Sequence, residues 1–310
     1  MKIKIVTDSA ACISQARAKE MGIEVVPLNI TIGEQTFIDG VDIDTDALVE
    51  LIDSGKDFPK TSQPSPAKFI EIFEAAKEKG EAVLCILMSS KISGTFQAAT
   101  LSKDIVGYEH VRIVDSMQFV GAEELLVLEA YRLKDDLELD ALGDYLDTIK
   151  SNAHIYAVVD TLTYLQRGGR LSKIAAFIGN ILSFKPIVYF PDGHGGVKGT
   201  YRGRKNAYKA LFEVLEEHPI DFDYPVHFGY SKDDTRLKEV LKMFYEKYGP
   251  TKCIISPLGA GMVTHVGPSA AAIYYVEKGA DKIKKEIPLK IKELVTLDPS
   301  MFAANEEESE

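Results

Sequence analysis

Cysteine is scarce in this chain of 310 residues. The three cysteines, Cys12, Cys85 and Cys253, are too few and too scattered for a disulfide framework or a structural zinc site. Cys85 and Cys253 lie in apolar runs, where a thiol packs as a small hydrophobic group. This usage is typical of a reducing compartment, and we expect a cytoplasmic protein.

Long hydrophobic runs and an excess of positive charge are also absent. The longest apolar runs are far shorter than the roughly 20 residues of a membrane-spanning helix, and the N-terminus has no signal-peptide core. The chain has 36 basic and 47 acidic side chains, a net charge of −11. Because nucleic-acid binding needs a basic surface, we expect no nucleic-acid partner. Because no apolar run is long enough to span a membrane, we expect only transient contact with membranes.

What the chain does contain is an alternation of short apolar runs and amphipathic stretches. Its length predicts two domains, which we place at residues 1–152 and 153–300, followed by an acidic tail at 301–310. The βαβ alternation predicts a mainly parallel, Rossmann-like sheet in the first α/β domain, and we expect a mixed sheet in the second. The pattern also predicts a single strand over residues 23–32 and a helix over residues 173–181.

Polar residues follow four of the predicted strands. They are Thr7-Asp8-Ser9, Ser89-Ser90, Asp115-Ser116 and Asp160-Thr161. In open α/β sheets, ligands bind outside the carboxyl ends of the strands, so together these residues favour a polar crevice. Any one of them could instead cap the helix that follows.

The segment from Ser89 to Thr95 is the most specific of these. It follows a buried strand and precedes a helix, whose free amides could bind an anion with the hydroxyls of Ser93 and Thr95. Gly94 lets the backbone approach a ligand closely. The Walker spacing is absent, as is the G-x-S-x-G elbow, so the pocket suits a carboxylate or a single phosphate.

Three further segments carry candidate binding groups. Residues 61–66 are rich in hydroxyls and stiffened by two prolines, although Ser65 could simply cap a helix. Positive charge is concentrated at two places, Arg167 to Arg170 and Arg202 with Arg204. This charge could bind a phosphate or an acidic partner. Alternatively, both segments could be solvated turns.

His265, between glycine-rich turns, could donate to an anion or act as a general acid or base; an ordinary core histidine is the alternative. The other histidines, at positions 110, 154, 194, 218 and 227, share no metal-ligand spacing. The sequence therefore predicts no metal and no cofactor.

Six segments, in order and spread over most of the chain, resemble the DegV family of bacterial fatty-acid-binding proteins. They are residues 7–9, 61–65, 89–95, 160–170, 185–186 and 265–268. The sequence departs from the family pattern at Cys12, where an acidic residue is usual, and at Ser269-Ala270, where a glycine-rich stretch is usual.

The resemblance implies a fatty acid held between two α/β domains, with no catalysis by this chain and with a fatty acid kinase as partner. It assigns the carboxylate contacts to Thr61, Ser62, Ser93, Gly94, Thr95, His265, Arg170 and Arg202. Arg170, Arg202 and Arg204 would then lie near the kinase-docking face. We also expect the helix over residues 173–181 to line the acyl tail with Ile174, Phe177, Ile178 and Ile181.

Two other functions use the same residues. Ser93 could be a nucleophile activated by His265 and oriented by Asp160 or Asp8, as in an esterase or thioesterase. Against this, Lys91 stands where a nucleophile elbow has glycine. The helix start could also bind a small phosphate or nucleotide, in which case no long apolar tunnel is expected.

Overall fold

The structure, a computed structural model, describes residues 1–55, 57–170, 184–280, 283 and 294–302. The strands of the first half are β1 (Ile3–Asp8), β2 (Glu24–Val26), β3 (Asn29–Ile32), β4 (Gln35–Ile38), β5 (Lys60–Ser62), β6 (Ala82–Leu87) and β7 (Val111–Asp115). Its helices are α1 (Gln15–Met21), α2 (Thr45–Asp53), α3 (Pro66–Lys79), α4 (Thr95–Val106), α5 (Val120–Leu133) and α6 (Leu139–Ile149).

The second half continues with seven strands and four helices among the described ranges. The strands are β8 (Ala153–Val158), β9 (Phe184–Tyr189), β10 (Gly196–Arg202), β11 (Val226–Tyr230), β12 (Lys252–Pro257), β13 (Ala271–Val276) and β14 (Leu294–Thr296). The helices are α7 (Thr163–Arg167), α8 (Arg204–Glu217), α9 (Thr235–Tyr248) and α10 (Ala260–Val266). The helix predicted over 173–181 and most of the tail predicted at 301–310 lie outside the described residues.

The two predicted sheet types are confirmed. Strands β2-β1-β6-β7 form a parallel four-stranded sheet, and all six residues of β6 are buried, as expected for a parallel sheet covered on both faces. The second half forms a mixed sheet in the order β10-β9-β8-β13-β11-β12-β14, in which β11 and β12 pair in parallel. The domain boundary after residue 152 stays a prediction.

The single strand predicted over residues 23–32 is wrong. Its first part, β2, pairs with β1 in the parallel sheet, whereas β3 pairs with β4 and β5 in a separate antiparallel sheet of three strands. Pro27 stands between the two parts and has no backbone N–H for a ladder. The stiff loop predicted over residues 61–66 is wrong for Thr61 and Ser62, which pair with β3 as part of strand β5.

Helix α5 lies between the two larger sheets and forms the centre of the core. Twelve of its 14 residues are buried, and it packs against β1 and β6 on one side and β8, β11 and β13 on the other. A side chain at Gly121 would place its Cβ 2.2 Å from the ring of Tyr274, so the helix and β13 approach too closely for any larger residue. The main hydrophobic core therefore runs continuously through both halves of the chain.

The outer faces of the sheets carry their own cores. Helices α3 and α4 cover the parallel sheet, and α8 and α9 cover the mixed sheet. Over the described ranges, we find no helix that combines the length and apolar character needed to cross a membrane.

Candidate functional site

A cleft opens between the two halves of the chain. The space between its walls, including the part open to solvent at its mouth, is about 560 Å³. Its apolar walls are Leu28, Met88, Ile92, Phe119, Leu165, Phe190, Met262 and Val266, and its polar groups are Thr61, Ser62, Gln63, Ser93, Arg170 and His265. Five of the predicted carboxylate contacts therefore share one mostly apolar cleft.

The Thr61 hydroxyl and the His265 imidazole meet across the cleft. Thr61 Oγ1 lies 2.7 Å from His265 Nε2, although the residues are 204 positions apart. The opposite ring atom, Nδ1, has no hydrogen-bond partner within the described residues. Burial, with a smaller contribution from the positive charge of Arg170, lowers the pKa of His265 to about 3. The imidazole is therefore neutral at pH 7.

The first half of the chain holds the helix that carries His265. Helix α10 has no cap from its own N-cap residue, Gly259. Instead, the Gly261 amide donates to Asp39 Oδ1 at 3.0 Å and the Gly259 amide to Cys12 Sγ at 3.3 Å. Ser9 Oγ donates to the other Asp39 oxygen at 2.7 Å. Cys12 thus contacts the start of α10.

The start of helix α4 brings Ser93 and Thr95 together. Their hydroxyls are 2.9 Å apart, and Ser93 Oγ accepts the Thr95 amide at 3.3 Å because the N-cap residue, Gly94, has no side chain to do so. A Cβ at Gly94 would lie 1.7 Å from Gln63 Oε1. Glycine at this position therefore lets Gln63 of the cleft wall lie against the helix start.

Arg170 contributes positive charge to the cleft. It follows the Gly168-Gly169 turn at the end of α7, and its Nη1 donates to the Gly168 carbonyl at 2.7 Å. The guanidinium is half-buried, which lowers its pKa, and within the described ranges no carboxylate forms an ion pair with it. The cleft wall thus includes a positively charged side chain that can bind an anionic group.

Several predicted site residues lie elsewhere. Arg202 is exposed at the end of β10 and Arg204 begins α8; neither lines the cleft. Asp160 is held by Lys185 and Arg236, each at 2.8 Å. The predicted tail-lining residues Ile174, Phe177, Ile178 and Ile181 lie outside the described residues.

The polar crevice predicted at the strand ends is wrong for the first of them. Thr7 and Asp8 are fully buried and Ser9 nearly so, and none of the three lines the cleft. Asp8 accepts the backbone amides of Ala10 and Met88. Helix α5 covers the ends of these strands, so their polar groups are satisfied internally.

The aromatic part of the cleft was not anticipated from the sequence. Phe119 and Phe190, from opposite halves of the chain, pack edge to face with ring centroids 4.4 Å apart. Each looks like an ordinary apolar residue in its own segment, and only the approach of the two halves makes them a shared wall.

Comparison with known proteins shows which family this chain is similar to. The sequence profile of the DegV family matches residues 2–278. A DegV domain-containing protein of Caldanaerobacter subterraneus subsp. tengcongensis is 36% identical over 280 residues, which are 89% of this chain and 99% of that protein.

Two solved structures are also similar. A DegV family protein from Thermus thermophilus, described for its fatty acid binding, has a TM-score of 0.82 and 28% identity over 89% of this chain and 100% of its own. A stearic-acid-binding protein from Eubacterium ventriosum has a TM-score of 0.80 and is 27% identical. The match covers 89% of this chain and 98% of that protein.

Proposed function

Because this chain belongs to the DegV family, we propose that it binds one long-chain fatty acid in the cleft between its halves. The observation that carries the proposal is Arg170, a half-buried cation on the wall of a mostly apolar cleft. A fatty acid combines one negative charge with a long apolar tail. The similar proteins from Thermus thermophilus and Eubacterium ventriosum are described as fatty acid binders, which supports the same ligand class here.

The carboxylate would be bound by charge from Arg170 and by hydroxyl donors. With Nε2–H of the neutral His265 donating to Thr61 Oγ1, the Thr61 hydroxyl proton is free to point at a carboxylate oxygen. Ser93 supplies a second donor, and Thr95 orients it through their 2.9 Å contact. In this arrangement His265 acts as a neutral group that orients Thr61. Ser62 lines the same cleft; Arg202 as a carboxylate contact stays a prediction.

The acyl tail supplies most of the affinity. Each buried methylene contributes about 0.8 kcal/mol, so a chain of about 14 contributes roughly 11 kcal/mol before the entropy of association is subtracted. Phe119 and Phe190 offer this apolar surface from the two halves. The carboxylate contacts then select a fatty acid over other lipids.

We place this carrier in the cytoplasm, with a fatty acid kinase as its partner. In this proposal the chain performs no covalent step itself and presents the bound carboxylate for phosphorylation. The exposure of Arg202, with Arg204 two positions later at the start of α8, supports the proposal that both contact an acidic surface of the kinase. Together, Ser93→Ala and His265→Ala should reduce acyl loading and phosphorylation by the kinase; unchanged values would contradict these assignments.

The contacts of His265 disfavour the esterase alternative. A general base for Ser93 would need one ring nitrogen on the serine and the other on a carboxylate. Here Nε2 bonds Thr61, and no described carboxylate bonds Nδ1. Asp160 is engaged by Lys185 and Arg236. A fluorophosphonate probe should leave Ser93 unlabelled, whereas labelling there would favour the enzyme.

The deciding experiment has two steps. Mass spectrometry of lipids extracted from the purified protein should find about one fatty acid per chain. The delipidated protein should then bind a long-chain fatty acid, and Arg170→Gln should weaken binding about 10- to 100-fold, since a hydrogen bond to a charged group contributes about 1.5–3 kcal/mol.

Arg167→Gln is the matched control for Arg170. Arg167 is the last residue of α7, three positions before Arg170, but it stacks over Phe58, 5.3 Å from the ring centroid, and does not line the cleft. Its loss should leave affinity unchanged. A fatty alcohol of equal length should bind wild type and Arg170→Gln alike. Absence of any bound fatty acid would refute the function; equal affinity in Arg170→Gln and wild type would refute only the role of Arg170.

A further inference from the structure

A cluster of histidines and a carboxylate lies away from the cleft, at the ends of two central strands of the mixed sheet. His154, His218 and Glu277 each offer one ligand atom, and these atoms lie within 4.8 Å of one another. His154 Nε2 is 2.7 Å from one Glu277 oxygen, and His218 Nδ1 is 3.3 Å from the other. Linear spacing gave no sign of this cluster, since Glu277 is 123 positions from His154 and 59 from His218.

We propose that His154, His218 and Glu277 bind a divalent transition metal of the zinc type. Two imidazoles and one carboxylate are the ligand set of many catalytic zinc sites, which leave a fourth position for water or another ligand. Imidazole-rich sites select zinc, copper or nickel over magnesium and calcium. This proposal revises the expectation of no metal and is independent of the proposed fatty acid site.

The spacing of the ligand atoms suits a zinc ion. Zinc–nitrogen bonds of about 2.0–2.1 Å in a tetrahedron put neighbouring ligand atoms roughly 3.3 Å apart. Ligand atoms already within 4.8 Å therefore need only small side-chain rotations to surround an ion.

The backbone holds the three ligands in place without a metal. His154 is in β8 and pairs with Tyr275 of β13. Glu277 follows β13, where its amide donates to the Asn152 carbonyl at 2.8 Å. His218 ends α8, and its carbonyl accepts the Tyr275 hydroxyl at 2.9 Å. Two strands and a helix thus converge on one point, and an ion there would link all three.

The site is also reachable from solvent. The side chains of His154, His218 and Glu277 are 21%, 37% and 23% exposed. This exposure gives an ion a path to the ligands and leaves room for a water molecule at the fourth position. The rings of Tyr156 and Tyr275 pack beside His154, with centroids 6.1 and 5.5 Å away, and restrict its orientation.

The test is metal titration of the full chain, freed of metal with EDTA and carrying no histidine tag. We expect one Zn²⁺ per chain, displaced neither by Mg²⁺ nor by Ca²⁺, and visible absorption of tetrahedral Co²⁺ when cobalt replaces zinc. Glu277→Gln and His218→Gln should each weaken Zn²⁺ binding by about 100-fold or more, since even second-shell changes weaken metal affinity 10- to 100-fold.

His110→Gln is the matched control. His110 is also a histidine beside a glutamate, with Nε2 3.7 Å from Glu109, but it belongs to no three-ligand cluster among the described residues. Its loss should leave Zn²⁺ affinity unchanged. Circular dichroism and fatty acid titration check that each variant is folded. The proposal is overturned if wild type binds no stoichiometric Zn²⁺, if Mg²⁺ competes equally, or if folded Glu277→Gln and His218→Gln bind zinc like wild type.

Discussion

Replacing Gly168 by alanine tests whether His265 and Thr61 act as a pair. A Cβ at this position would lie 2.3 Å from His265 Nδ1 and 2.9 Å from Cε1. To reach an ordinary separation of roughly 3.5 Å the ring must retreat by about 1 Å. The Gly168 backbone has φ −72°, which any residue adopts, and besides the ring the Cβ would meet the Tyr164 carbonyl oxygen at 3.1 Å. The ring is therefore the main group that must move.

The retreat should break the 2.7 Å bond between His265 Nε2 and Thr61 Oγ1. A lost hydrogen bond is worth about 1 kcal/mol, and overpacking a buried site about 1–3 kcal/mol. We therefore expect the free energy of unfolding in urea to fall by about 1–3 kcal/mol. Fatty acid affinity, measured by titration of delipidated protein, should fall about fivefold or more.

A double variant shows whether this effect passes through the imidazole. In a chain that already carries His265→Ala, the new methyl group at position 168 has no ring to displace. Gly168→Ala should then change stability and affinity much less than it does in the wild-type chain, since only the Tyr164 carbonyl contact remains. The reasoning is refuted if Gly168→Ala alone behaves like wild type, or if its effect is as large with His265→Ala as without it.

Three further predictions concern buried charge, each read from unfolding free energy in urea. Asp39→Asn should lower the free energy of unfolding by about 1–3 kcal/mol and weaken fatty acid binding, because only one side-chain oxygen then remains to accept from both the Gly261 amide and the Ser9 hydroxyl. Unchanged values would show that α10 needs no such anchor. Glu124→Gln should lower the free energy of unfolding by about 3–5 kcal/mol, since Arg17 and His227 lose their shared carboxylate. A loss below about 1 kcal/mol would contradict a buried ionic cluster. Burial raises the pKa of Asp8 from 3.8 to about 7. Between about pH 4 and 7 the Asp8 carboxyl is therefore protonated in the folded state and ionised in the unfolded state. The Asp8 contribution to stability should thus fall as pH rises through that window, by at most about 1.4 kcal/mol per unit; identical pH profiles of wild type and Asp8→Asn would exclude it.

Local signals in the sequence account for the helices and for much of the parallel sheet. The alternative interpretation of Ser65 as a helix cap is confirmed at the start of α3, where its Oγ accepts the Ala67 amide. Gly80 ends the same helix at φ 64°. Such signals act over a few residues, so the local sequence is sufficient to predict where these helices begin and end. The break at Pro27, with strands on either side in different sheets, depends on pairings with β1 and with β4 and β5, which no local pattern contains.

The sequence by itself determined the α/β class, the capped helices and the types of groups that reach the cleft. The tertiary structure decided which of them meet. It placed Thr61 against His265, satisfied Thr7 and Asp8 inside the core, left Arg202 exposed, and brought the three groups of the proposed zinc site together. The physical reason is that caps and periodicity arise from neighbouring residues, whereas a site between two halves depends on how a buried helix such as α5 packs both sheets against itself.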